Sequence, residues 1–357
     1  MIRPRDGLPT RRHPIAHLRH LLGSPYYRYR NARYLHGMRV AVAMLASIAL
    51  TTGLGIPHGF WASVTLLVVI GGLQHHGNIR RKALERGLAT AIGAVLGLLL
   101  IAQHSVIGSV ALTYTLVAVL AGVCAYFAVG KSGYIALLTA ITLSIVAGHG
   151  DNSVDIGLWR AFNVAIGTAV ALLFSFGFPL YATYDWRYRL AENLRECARL
   201  YPRIMTGEPM SAKEQVEQFA RLSGRLVQLR SLIAPAAREM HVPPARLEEI
   251  QRSHRSIISA LEMLAVAGAQ RGKAPDWGPM QEVLHNRRSV IRRQLLALSR
   301  ALRSGDTRRL RVPVMHDAGA TPNGDLSYEL LGAYWLAQRL SEQVGHMRAE
   351  VAALDLK

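Results

Sequence analysis

Carboxylates and cysteines are scarce in this sequence, and over one long stretch charge of either sign almost disappears. Only two cysteines, Cys124 and Cys197, stand among 357 residues, one in an apolar stretch and one in a basic one, which excludes a disulfide-built fold. Asp and Glu total 23 against 42 Lys and Arg, a formal net charge of +19. In a soluble protein such an excess points to nucleic acid, but here it is not spread over the chain. Residues 1–39 hold nine Arg and one Asp, residues 181–357 hold 27 basic and 19 acidic residues, and residues 40–180 hold six basic and three acidic ones. A nearly uncharged slab between two basic flanks excludes a uniform soluble globule and a disordered chain. The first 36 residues are basic without a short apolar run and cleavage site behind them, so they read as a cytoplasmic tail rather than a signal peptide.

Six apolar segments fill the slab, at roughly 38–55, 60–73, 87–102, 106–129, 133–148 and 158–180. A bilayer span takes about 20 residues. The fourth and sixth segments reach that length; the others reach it with flanking residues such as Arg39, Arg86 and Trp61 at the interface, where Arg snorkels and Trp is favoured. Six such segments leave no polar outer face for a soluble helical core. The connection after the second segment carries Arg80, Arg81, Lys82 and Arg86, and the one after the fourth carries Lys131. The alternate connections, 55–59, 103–105 and 149–157, contain no Lys or Arg. The positive-inside rule therefore predicts a multi-pass membrane protein with both termini in the cytoplasm.

A shift of 74 positions reveals an internal repeat. It lays Gly59-Phe60-Trp61-Ala62-Ser63-Val64-Thr65 over Gly133-Tyr134-Ile135-Ala136-Leu137-Leu138-Thr139, Arg86 over Arg160, and Ala91-Ile92-Gly93 over Ala165-Ile166-Gly167. Segments one to three map onto four to six without gaps. Three helices per repeat is an odd number, so the halves are expected to have opposite topology. Inverted repeats of this kind build transporters whose path lies between the halves.

The stretch Pro57-His58-Gly59-Phe60-Trp61-Ala62-Ser63-Val64-Thr65, followed by Arg80, Ala83, Arg86, Thr90, Gly93 and Gly97, resembles the fusaric-acid-resistance and aromatic-acid-exporter (FUSC-like) family over about residues 37–180. Ala89 stands where the Gly of a Gly-Thr pair is common, and the turn after segment two reads Gln74-His75-His76. The resemblance implies an all-α inner-membrane transporter that exports small organic, aromatic acid anions in resistance-type efflux, working with a periplasmic adaptor protein. Many full-length relatives carry two six-span units. The single unit here suggests a homodimer or a reduced member with altered function.

Ionisable and polar groups within spans are functional candidates because burying them is costly. Arg86 and Arg160 are read as starting the third and sixth helices at matching repeat positions, where a helix N-terminus also favours an anion. Each either draws an anionic substrate or snorkels to its nearest headgroup layer. Trp61 is read as an interface anchor or as a stacking ring in an aromatic-acid path, Thr65, Thr139, Asn163 and Tyr114 as path-lining or helix-packing groups, and Gly93, Gly97 and Gly167 as close-packing positions. No Asp or Glu lies deep in any span, so either proton coupling runs through boundary groups such as His58, His149 or Asp155, or anions are conducted passively. The string Ala125–Ser132 lacks the first Gly of a phosphate loop and follows no strand. No zinc spacing, nucleophile elbow or acid pair occurs. No enzyme activity, cofactor, metal site or nucleic-acid partner is expected.

From about 185 the pattern becomes amphipathic. Leu190, Leu194, Cys197, Tyr201 and Ile204 recur at spacings of three and four, and similar stripes run near 212–235, 244–269, 277–304 and 326–354. Pro202, Pro243-Pro244 and Pro275 punctuate the region, and 305–325 reads as a loop. A cytoplasmic antiparallel bundle of four or five helices is predicted. Its basic clusters, Arg287, Arg288, Arg292 and Arg293 and then Arg308, Arg309 and Arg311, read as solvated faces or as contacts to anionic headgroups. The predicted organisation is thus a tail (1–36), a six-helix membrane domain (37–181) and a helical domain (182–357). The competing reading is a membrane-anchored helical scaffold or regulator without transport activity.

Overall fold

The structure is a computed structural model that describes residues 25–71, 76–130, 132–148, 153–177, 179–206, 208, 210–269, 278–310, 328–354 and 356. Helix is the regular structure of these residues, joined by turns, with no strand among them. The chain divides into two compact units, Arg30–Leu180 and Met1–Tyr29 with Tyr181–Lys357.

In the first unit six helices follow one another: α2 (Ala32–Gly53, after a short α1, Pro25–Arg30), α3 (Phe60–Ile70), α4 (His76–Ile107), α5 (Val110–Ala128), α6 (Gly133–Ala147) and α7 (Val154–Gly177). Among the described residues four are long and apolar enough to cross a membrane: Ala32–Gly53, Leu84–Ile107, Val110–Ala128 and Val154–Gly177. The first and third apolar segments therefore reach span length too, because the helix continues through their polar flanks. Hydropathy alone hides this, since it stops counting at Arg39 and Arg86. By contrast α3 and α6, with 11 and 15 residues, are about 16 and 22 Å long at about 1.5 Å per residue, against an apolar layer of about 30 Å.

The two short helices are sheathed by the long ones. The α3 helix packs against α7 and α2, and α6 packs against α4 and α5, while α4 and α7 meet each other. Their buried faces are rich in small and hydroxyl residues, Ala62, Ser63 and Thr65 in α3 and Ala136, Thr139 and Thr142 in α6. Glycines permit the approach. A Cβ at Gly93 of α4 would lie 2.7 Å from the Thr139 carbonyl oxygen, and one at Gly97 would lie 2.8 Å from Val146 Cβ. A Cβ at Gly167 of α7 would run into the Ala62 carbonyl. The α2–α3 turn folds tightly back on α2: Ile56 N–H donates to Thr51 O at 2.9 Å, Gly55 has φ +61°, and a Cβ at Gly59 would strike Thr51. Ser47 Oγ and Ser63 Oγ lie 3.3 Å apart across α2 and α3.

The second unit contains α8 (Ala182–Thr206), α9 (Ala212–Glu239), α10 (Pro244–Ala269), α11 (Gly278–Ser304), a 3-10 turn (Arg308–Leu310) and α12 (Tyr328–Ala352). The α8 stripe of Leu190, Leu194, Cys197, Tyr201 and Ile204 is buried and packs with Leu222, Leu229, Leu261, Leu295 and Leu340 in one core. Ser211 caps α9, accepting from Glu214 N–H at 3.1 Å. Pro202 does not end α8 but sits inside its last turn. A proline there forfeits its own hydrogen bond to the carbonyl four residues earlier. The α1 helix packs on this unit through Tyr26 and Tyr29, whose rings lie 5.4 and 5.1 Å from that of Tyr188. Of the 305–325 stretch, residues up to 310 are described; Pro275 lies outside the described residues.

Candidate functional site

Arg86 and Arg160 are not at the starts of their own helices. Both lie well inside, on α4 and α7, because helical sequence precedes each one. The helix starts near them belong to the short helices instead. Arg86 is buried, and its Nε donates to the hydroxyl of Tyr134 in the first turn of α6, with Cζ 5.4 Å from the ring centre. Arg160 is half-buried, with Cζ 5.5 Å from the centre of the Trp61 ring in the first turn of α3. Its Nη1 donates to Ile145 O, in the last turn of α6, at 3.2 Å. A cation there meets the negative end of the α6 dipole as well as the π-face of an indole.

Asn163, one turn after Arg160, is fully buried. Its Nδ2 donates to Pro57 O and Trp159 O, each at 2.8 Å. Thr65 and Thr139 are buried on α3 and α6, and Thr139 Oγ1 donates to Ala89 O at 3.4 Å. Arg160, Trp61, Asn163, Thr65 and Gly167 therefore share the α3–α7 face, and Arg86, Thr139, Gly93 and Gly97 share the α4–α6 face. The coupling candidates do not join either group: His58 is exposed in the α2–α3 turn with φ 58°, and Asp155 is exposed in the first turn of α7. His149 and Lys131 lie outside the described residues. Tyr114 is exposed on α5.

Sequence reasoning passed over Tyr134 as a partner for Arg86. The repeat held the signal, since the 74-residue shift lays Tyr134 on Phe60, next to Trp61. Arg39, expected at the interface, is buried instead: its Nη2 lies 2.9 Å from His36 Nδ1, while His36 Nε2 lies 3.2 Å from Gly71 O at the end of α3.

Apolar helices of span length, short helices held among them and cations buried beside those short helices define an all-helical membrane protein. The sequence profile of the fusaric acid resistance protein family (FUSC) matches residues 33–355, and the chain belongs to that family. The match runs through the second unit as well, well beyond 37–180. Over 235 residues the chain is 32% identical to the inner membrane protein YeeA of Escherichia coli (strain K12), covering 66% of this chain and 66% of that protein. The chain thus spans about two thirds of the length of the curated relative it matches.

Proposed function

We propose that this chain is a bacterial inner-membrane transporter that moves small organic acid anions, aromatic ones among them, outward across the bilayer. In this reading the first unit crosses the membrane six times as two inverted three-helix repeats. The second unit is a cytoplasmic bundle, and both termini lie in the cytoplasm. The observation that carries the reading is a reciprocal exchange. Under the 74-residue shift α3 corresponds to α6 and α4 to α7, and each short helix packs on the long third helix of the other half. Each third helix also holds its arginine against an aromatic at the start of that same short helix. Short apolar segments at corresponding positions of two halves mark the site in transporters built from inverted repeats. Backbone at the ends of such helices is tolerated at membrane depth only where protein or a cavity surrounds it.

A positively charged centre in each half suits an anion, and aromatic rings beside it suit an aromatic one. No catalytic step or cofactor enters this reading. The partners it invokes are lipid, the anion, a second copy of the chain and a periplasmic adaptor. One observation favours the competing scaffold reading: among the described residues of α2–α7 the carboxylates are Glu85 and Asp155, neither fully buried. A proton relay of the usual buried-carboxylate kind is then missing, and coupling falls to His58, His149 and Asp155.

The test is efflux of benzoate from proteoliposomes by the wild-type chain, Arg86→Ala and Arg160→Ala, beside growth of a deletion strain on a panel of aromatic and aliphatic acids. Transport predicts flux in the wild type and a loss of at least about tenfold in each variant at equal incorporation. No flux from the wild type, with an unchanged growth panel, would leave the scaffold reading standing.

A further inference from the structure

The α4–α6 and α3–α7 pairs each hold an arginine against an aromatic ring, yet they differ in hydrogen bonding. The 74-residue shift sets Asn163 against Ala89 and Thr168 against Ala94. On the α4–α6 face the polar groups answer one another: Arg86 Nε donates to Tyr134, and Thr139 Oγ1 donates to the Ala89 carbonyl. The other half differs. Arg160 Nε, Asn163 Oδ1, Thr65 Oγ1 and Thr168 Oγ1 are buried atoms with no partner among the described residues. Asn163 is 0% exposed, Thr65 6% and Thr168 8%. Buried polar groups in native proteins are almost always bonded, and an exception calls for an explanation.

The orientation of Asn163 makes the exception specific. Both neighbours of its Nδ2, Pro57 O and Trp159 O, are acceptors, so the amide cannot be turned round. Its Oδ1 is therefore an acceptor calling for a donor. Gly167, one turn further along α7, meets Ala62 and Thr65, which sets Asn163 and Thr65 on the same α3–α7 face. Arg160 and the Trp61 ring stand at the head of that face.

We infer that the α3–α7 face is the ligand half-site, that the α4–α6 face is a structural tie, and that Asn163 Oδ1 selects anions carrying a hydrogen-bond donor. This rests on the anion-transport reading and narrows it from two arginines to one. The groups are complementary to such a ligand: Arg160 supplies charge and a free N–H, Thr65 a hydroxyl that gives or accepts, and Asn163 one acceptor. A carboxylate bearing an O–H or N–H nearby satisfies all three. The same acid without its donor leaves Asn163 Oδ1 unmatched, and a site built to bond a hydroxyl rejects the analogue that lacks it.

The experiment titrates the full chain in detergent with glycolate against acetate, and lactate against propionate, followed by tryptophan fluorescence because Trp61 lies beside Arg160. Each pair differs by one hydroxyl. The wild type is expected to bind the hydroxy acid about tenfold more tightly, the worth of one net hydrogen bond. Asn163→Ala, eluting as a single species, is expected to bring that ratio to about one, and Arg160→Gln to abolish binding of all four acids. A merely structural Asn163 would weaken the four acids alike and leave the ratio intact, which overturns the inference. So does equal binding within each pair by the wild type, failure of both hydroxy acids to bind, or binding lost in Arg86→Gln yet kept in Arg160→Gln. Flux in vesicles separates the two readings. Discrimination in binding without flux of any acid removes the transport reading and keeps the half-site. Flux without discrimination does the reverse.

Discussion

Arg160 holds its guanidinium 5.5 Å from the centre of the Trp61 ring while its Nη1 donates to the Ile145 carbonyl at 3.2 Å. One side chain on α7 thus ties the first turn of α3 to the last turn of α6. Arg86 has the corresponding place on α4 but a different bond, to the hydroxyl of Tyr134 rather than to the face of an indole.

That difference gives unequal results for two similar substitutions. Tyr134→Phe removes the oxygen that Arg86 Nε donates to, inside a buried setting, and is expected to destabilise by about 1–3 kcal/mol. Trp61→Phe keeps a π-face for Arg160 and is expected to cost about 1 kcal/mol or less through that contact. Thermal melting of the full chain in detergent checks both. A larger loss in Trp61→Phe than in Tyr134→Phe would contradict the two geometries.

Close helix approach makes the glycines unequal. Gly93→Val and Gly167→Val place side-chain atoms against the Thr139 and Ala62 carbonyls, where neither backbone can give way easily. Each is expected to cost about 1–3 kcal/mol or to abolish the folded form. Gly53→Ala, with nothing within 4 Å of its Cβ, is the comparison. It is expected to melt as the wild type does, and fluorescence-detected size exclusion after heating reads all three.

In the second unit His254 is wholly buried, 3.3 Å from Asn193 Nδ2, and burial pushes its pKa down to about 3. Unfolding restores a value near 6.5, so between those limits the unfolded chain binds a proton that the folded one refuses. Stability from this group is complete above pH 6.5 and is lost as pH falls towards 3, by up to about 1.4 kcal/mol per pH unit. Melting temperature is expected to drop below pH 6 in the wild type and to drop less steeply in His254→Gln. Parallel pH profiles for the two proteins would refute this.

Arg187 is a buried cation held by carbonyls: Nε donates to Leu302 O at 2.9 Å and Nη1 to Leu356 O at 2.7 Å. Burial lowers its pKa, yet a guanidinium stays charged at neutral pH. Arg187→Met strands both carbonyls and is expected to destabilise by about 2–5 kcal/mol. Gly305→Ala acts on the same contact, because Gly305 has φ +76° and a Cβ there would lie 2.6 Å from Arg187 Nη2. Both should lower the melting temperature, Arg187→Met by more.

Much of the helix pattern was legible in residue order, because apolar periodicity reports directly on which face of a helix is buried. Leu190 to Ile204 form a core stripe for that reason, and α10 begins at Pro244, where a proline fits the first turn. Span length was less legible. Hydropathy stops at a charge, whereas α2 and α4 run on through Arg39 and Arg86, each of which has a polar partner in the fold. Of the candidate site, the residue types and the repeat spacing were readable. The partners were not, since Arg86 and Tyr134 lie 48 positions apart and Asn163 and Pro57 lie 106 apart.

By itself the sequence determined an apolar slab between basic flanks, six apolar segments and the amphipathic stripes of the second unit, because composition and periodicity act locally along the chain. Only the tertiary structure decided which arginine meets which ring, that the second and fifth segments are short helices sheathed by long ones, and that Asn163 keeps an unmatched acceptor where Ala89 has none. Those facts depend on how close two helix backbones come. That distance is set by glycines on one helix facing carbonyls on another, a relation no single segment contains.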